Sequence, residues 1–248
     1  MPSLAPFVGA LALVVAAGCA GGRAPADPWR HVTERYGVGV RLPIATHYEL
    51  VGEFFGEDLA TGEPVVAKDE GRLKGRVGGG LRIERFLDET WSLAGLVEAR
   101  SFDVRGLSPF GDDLPLEVET IEAWQVALQL KHRFRPNALD ARFRPWVGVE
   151  VAYLPDLSAD VTLDLSSFGS SDLELESKGE PFFVGALQAG VSVHVAERVL
   201  LELGVAYEHA LTKLDADLSF EIAGERVPIT AEYVPRGWIL GWGLTWLW

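Results

Sequence analysis

The chain has 248 residues, 48% hydrophobic and 23% charged, with a formal net charge of −14. That acidity argues against nucleic acid, which selects a basic surface. The single cysteine, Cys19, excludes an intramolecular disulfide. Beyond the N-terminus no stretch approaches the roughly 20 uninterrupted apolar residues of a membrane helix. A β-barrel escapes that test, because its lipid-facing residues alternate with polar ones.

Residues 4–18 are nearly all apolar or small. That length fits a signal peptide rather than a spanning helix, and we read residues 1–18 as one. The segment ends Ala16-Ala17-Gly18 directly before Cys19, which resembles the lipobox of bacterial lipoproteins and implies lipid on Cys19. Ordinary cleavage behind Ala20 is the alternative. Residues 19–33, rich in Gly, Ala and Pro, read as a periplasmic linker.

From residue 34 to 248 the apolar residues recur with period two, the mark of strands with two unlike faces. Eight stretches show it. The first sets Tyr36, Val38, Val40, Leu42 and Ile44 against Gly37, Gly39 and Arg41. The second sets Val77, Leu81 and Ile83 against Arg82 and Glu84, and the third Trp91, Leu93 and Val97 against Glu98 and Arg100. In the fourth, Trp124, Val126, Leu128, Leu130, His132 and Phe134 oppose Gln129, Lys131 and Arg133. In the fifth, Val147, Val149, Val151 and Tyr153 oppose Trp146, Gly148 and Glu150. The sixth sets Phe183, Leu187, Val191 and Val193 against Gln188, Gly190, Ser192 and His194. The seventh sets Leu201, Leu203, Val205 and Tyr207 against Glu202, Gly204 and Glu208. The last carries Trp238, Leu240, Trp242, Leu244, Trp246 and Trp248 on one face, with glycines on most of the other.

Each strand therefore has an apolar face and a face of glycine, amide and charge. A narrow closed lumen suits the second face, and Trp and Tyr near the strand ends suit two lipid–water interfaces. Connections alternate short and long, as in membrane barrels with short periplasmic turns and long external loops. The expected fold is all-β: an eight-stranded antiparallel up-and-down transmembrane β-barrel with four long external loops and three short periplasmic turns. An even strand number puts both chain ends on the periplasmic side, beside a lipid on Cys19.

The terminal strand ends Gly243-Leu244-Thr245-Trp246-Leu247-Trp248. It resembles the β-signal of bacterial outer-membrane proteins, with Trp248 in place of the usual Phe. The resemblance implies that Gly243, Trp246 and Trp248 are read by the barrel-assembly machinery. In strand number and loop order the chain resembles the small OmpA/OmpX/OmpW-type barrels. That implies an outer-membrane location, with outer-membrane lipids and lipopolysaccharide as partners.

The long connections are acidic, with Glu57 and Asp58 in the first, Asp112 and Asp113 in the second, Asp160, Asp164 and Asp172 in the third, and Asp215 and Asp217 in the fourth. A solvated exterior explains them, and divalent cations shared with lipopolysaccharide phosphates are the alternative. No metal-ligand spacing appears. The third and fourth connections alternate and read as hairpins that continue the barrel above the membrane. Ser192, His194 and Glu202 are an acyl-transfer inventory, but they face the expected lumen near its periplasmic end, where we read them as hydrogen-bonding partners. No catalytic residue and no cofactor is expected.

We therefore expect a lumen plugged by Arg41, Arg82, Glu84, Glu98, Arg100, Lys131, Arg133, Glu150, Glu202 and Glu208. Strands two and three meet around a turn near Asp88, so Arg82 and Glu84 should pair with Glu98 and Arg100. A structural or surface-interaction role comes first. An OmpW-type conduit for small hydrophobic molecules is the alternative, and a lipid-modifying enzyme a more distant one.

Overall fold

A computed structural model describes residues 36–57, 61, 63–75, 77–105, 116–118, 121–134, 143–155, 157–158, 161–163, 173–196, 198–222 and 225–248. The signal segment, Cys19 and the linker lie outside these residues, as do Asp58, Asp112, Asp113, Asp160, Asp164 and Asp172 of the connections.

Eight strands form a closed antiparallel ring. In order around the wall they are β1 (Tyr36–Glu57), β3 (Gly79–Phe86), β4 (Trp91–Arg105), β6 (Ile121–Arg133), β7 (Phe143–Leu154), β11 (Phe182–Ala196), β12 (Val199–Ala210) and β14 (Glu225–Leu247). The ring shuts where β14 pairs with β1, from Gly37 opposite Leu247 up to Phe55 opposite Thr230. These are the eight stretches that alternate in the sequence.

Six shorter strands carry the wall upward. β2 (Pro64–Gly75) runs along β1 above β3 and pairs with β4. β5 (Leu116–Val118), β8 (Leu157–Ser158), β9 (Val161–Leu163), β10 (Leu173–Gly179) and β13 (Leu214–Ile222) extend the other staves. The first connection is thus a hairpin, like the third and fourth. A bulge between Ala45 and His47 hides this in the sequence, because one extra residue moves every later side chain to the opposite face. Below it Gly37, Gly39 and Pro43 are buried, and above it Tyr48, Leu50 and Phe54 are.

Burial is inverted relative to a water-soluble protein. Leu128 is 64% exposed and Leu187 67%, whereas Glu84 and Glu98 are fully buried. Only lipid can cover such an exterior favourably. On β6 the apolar outer face runs from Trp124 to the adjoining Phe134, which at about 3.3 Å per residue and a tilt near 40° spans about 25 Å of membrane. Aromatic contacts gather at its two ends. Trp91, His132 and Phe134 touch beside the periplasmic turns. Tyr153–Phe183 and Tyr207–Trp238 mark the opposite end.

The turn between β3 and β4 is fixed by Asp88. Its Oδ1 accepts from the Thr90 amide at 2.6 Å, the Thr90 hydroxyl at 2.7 Å and the Trp91 amide at 2.8 Å. Slight burial pushes the Asp88 carboxyl up. The bonds from Thr90 and Trp91, with His132 nearby, outweigh it and hold the group below its ordinary value. A depressed carboxylate contributes stability above its unfolded value and loses it as pH falls through the folded one. Asp88→Asn is therefore expected to cost about 1 kcal/mol at neutral pH, with the difference from wild type vanishing in acid below the ordinary aspartate range. Urea titration at both pH values checks it, and a pH-independent difference would show that the charge plays no part.

Candidate functional site

The lumen is built in layers. At the periplasmic end Phe86, Leu200 and Leu247 form an apolar floor, and the Arg133 guanidinium lies 4.8 Å over the Phe86 ring.

Above it sits the first charge layer, centred on Glu84 and Glu202. Glu202 receives Lys131 Nζ at 2.7 Å, Arg133 Nη2 at 2.9 Å, the Ser192 hydroxyl at 2.7 Å and a short bond from Arg82 Nη1. Glu84 receives Arg133 Nη2 at 2.8 Å, the Ser92 hydroxyl at 2.5 Å and Arg82 Nη2. Five strands of the ring are tied together in this one layer.

Trp146 separates the two charge layers. Its ring lies over the adjoining strands β11 and β12, where a Cβ on Gly190 or Gly204 would come within 2.6 Å or 2.9 Å of its Cζ2. Those glycines admit the indole, and Lys131 Nζ sits 4.5 Å from its centre. Gln188 Nε2 donates to Glu150 Oε2 at 2.7 Å, and Gln129 bonds Gln188.

The second charge layer holds Arg41, Glu98, Arg100, Glu150 and Glu208. Arg41 Nη1 donates to Glu150 at 2.8 Å. Arg100 gives Nε to Glu98 and Nη1 to Glu208 at 2.8 Å, and the Tyr48 hydroxyl donates to Glu208 at 3.3 Å.

All ten residues named from the sequence thus line one interior. The expected pairing between strands two and three does not form. The register sets Arg82 opposite Leu96, and Gly80 opposite Glu98. The charges of the two strands are staggered, so Arg82 bonds Glu84 in its own strand and Glu202 across the lumen. Long side chains in a narrow barrel reach the far wall as readily as the adjacent strand.

Ser192 donates to Glu202 and accepts from Arg133 Nε at 3.3 Å. It is thereby engaged in the plug, with a carboxylate rather than an imidazole taking its proton. Among the described residues no group of three metal-ligating side chains occurs. Gly243 packs inward against the Val40 carbonyl, while Trp246 and Trp248 are each 57% exposed on the outer face.

Above Arg100 the interior becomes apolar. Leu50, Phe54, Leu73, Phe102, Leu154, Phe182, Val184, Leu214 and Tyr233 are buried there. Leu50, Leu73, Phe102, Leu154, Phe182, Val184 and Leu214 line a small cavity of about 40 Å³ that opens to solvent, floored by Tyr48, Arg100, Gln125 and Glu208. The conduit alternative implies a pocket at this external mouth, but sequence reasoning assigned no residue to it, and it missed Arg144, whose Nη1 donates to the Glu89 carbonyl at 2.7 Å across the periplasmic end. Arg144 shares the parity of Trp146 and Glu150 and was legible by extending that count. The chamber was legible at Phe182 and Val184, where the otherwise polar face of the sixth strand turns apolar.

No family model and no curated protein matches this sequence. Among solved structures, the outer membrane protein OprG from Pseudomonas aeruginosa is similar with a TM-score of 0.50. The identity is 16%, over 87% of this chain and 98% of that one. The outer membrane protein AlkL, solved by solid-state NMR in lipid bilayers, gives a TM-score of 0.50 and 14% identity over 92% of this chain and 94% of its own. At that identity the likeness is one of fold. With the inverted burial, it defines the class: a small eight-stranded outer-membrane β-barrel, located in the outer membrane.

Proposed function

We propose that this barrel captures small hydrophobic molecules at the cell surface and passes no ions. The observation that carries the reading is the apolar chamber seated on a column of buried ion pairs. Above the membrane an interior has no need to be apolar for the sake of lipid. A chamber lined by Leu50, Phe102, Leu154, Phe182 and Leu214 offers a poorly hydrated site to an apolar guest, as small-molecule pockets do. The buried Glu84–Glu202 and Glu98–Glu208 ion-pair layers below it obstruct the narrow lumen, unlike the open channel of a wide porin.

The test uses the purified barrel in lipid nanodiscs and planar bilayers. The uncharged probe N-phenyl-1-naphthylamine is expected to give a saturable fluorescence rise above that of empty nanodiscs, weakened by Val184→Trp, which fills the chamber. Single-channel recording is expected to show no steady conductance. Large stable openings, or a probe signal indifferent to Val184→Trp, would overturn the reading.

A structural or surface-contact role is the second reading, favoured by the buried ion-pair layers of the lower lumen. Loss of the gene product would then sensitise the envelope without changing uptake of apolar solutes. A non-enzymatic role fits the engagement of Ser192 with Glu202 and Arg133. Lipid on Cys19, assembly through Gly243, Trp246 and Trp248, and contact with lipopolysaccharide complete the proposal.

A further inference from the structure

We infer that the chamber selects amphipathic guests bearing an uncharged hydrogen-bond acceptor, with Arg100 as the group that reads the head. This rests on the capture reading above and adds the chemical class of the guest.

The floor is asymmetric in its hydrogen bonding. Arg100 is only 7% exposed and lines the cavity. Its Nε is given to Glu98 and its Nη1 to Glu208, while Nη2 is a buried donor without a partner among the described residues. The carboxylate that shares the cavity floor, Glu208, is engaged, whereas Glu98, whose Oε2 accepts no hydrogen bond among the described residues, does not line the cavity. Both Glu208 oxygens take Arg100 Nη1, and one also takes Tyr48. A buried guanidinium N–H left unpaired is unfavourable, so an arriving acceptor oxygen gains what the empty floor lacks.

The head should be neutral. The ion-pair cluster around Arg100 contains three carboxylates, Glu98, Glu150 and Glu208, against two guanidiniums, Arg41 and Arg100. An added carboxylate would enter a region already one negative charge in excess. An ammonium head would meet the spare donor with another donor. A ketone, aldehyde or ester oxygen suits both constraints, with its apolar tail among Leu50, Phe102, Leu154 and Phe182.

The experiment is a head-group series of equal chain length on the full-length barrel in nanodiscs: octane, 2-octanone, octanoate and octylammonium. Each displaces N-phenyl-1-naphthylamine, with lipid partitioning corrected on empty nanodiscs. The ketone is expected to compete at about tenfold lower concentration than octane, the scale of one hydrogen bond, and both charged compounds more weakly than the ketone. Arg100→Lys retains a cation for Glu98 and Glu208 but lacks the fork, and should narrow the gap between ketone and octane. If ketone and octane compete equally, the spare donor is satisfied by water and the inference falls while capture stands. If octanoate is preferred, the neutral-head argument is wrong. If the probe itself never binds, the capture reading falls first. Should Arg100→Lys fail to fold, the wild-type series decides alone.

Discussion

Glu202→Gln is expected to destabilise the barrel by about 3–5 kcal/mol, the usual result of breaking one partner of a buried ion pair. Glu202 is the shared acceptor of Arg82, Lys131, Arg133 and Ser192. Its amide analogue keeps the shape but leaves three buried cations facing the single remaining carboxylate of that layer, Glu84. Their repulsion is little screened, because all three cations are buried. Removing a cation together with the carboxylate should recover part of the loss, so Glu202→Gln with Lys131→Met is expected to be less harmful than the sum of the two changes. Lys68→Ala, which removes an exposed pair with Glu53, should leave the unfolding temperature unchanged. The readout is the temperature at which the compact gel form converts to the slow unfolded form. Equal shifts for Glu202→Gln and Lys68→Ala would show that the layer contributes nothing special.

Trp146→Ala should cost a similar amount, about 3–5 kcal/mol, by enlarging the small cavity that the indole borders in the middle of the lumen. The indole packs between the two charge layers against Gly190 and Gly204, borders that cavity, and carries Lys131 over its face. The same contact predicts a coupling. A Cβ on Gly204 would stand 2.9 Å from Trp146 Cζ2 and 3.0 Å from Cη2, so Gly204→Ala should be harmful in the wild type and better tolerated beside Trp146→Ala. At Gly190 no such rescue is expected, because a Cβ there also meets the Leu203 carbonyl oxygen at 2.2 Å. Urea unfolding of the four combinations at position 204 measures it, and additive losses would mean that the ring does not press on that strand.

The period-two alternation of the sequence by itself determined the eight strands of the ring, their sidedness and the membrane setting. It did so because a strand has only two faces, so Leu128 on the outer face leaves Gln129 no direction but inward. The same count placed Glu84, Glu98, Arg133 and Glu202 in one lumen without any knowledge of their partners. Only the tertiary structure decided those partners. Ring closure brings Arg82 within reach of Glu202, 120 residues away, and the register that staggers Arg82 from Glu98 depends on which residue of the turn opposes which. The upper chamber was likewise decided in three dimensions. The bulge at Ala45 and His47 turns Tyr48, Leu50 and Phe54 inward, where they meet Phe102, Leu154 and Phe182 from strands far along the chain. Alternation carries the direction of a side chain, whereas a binding chamber depends on the distance between walls, which closure of the barrel sets.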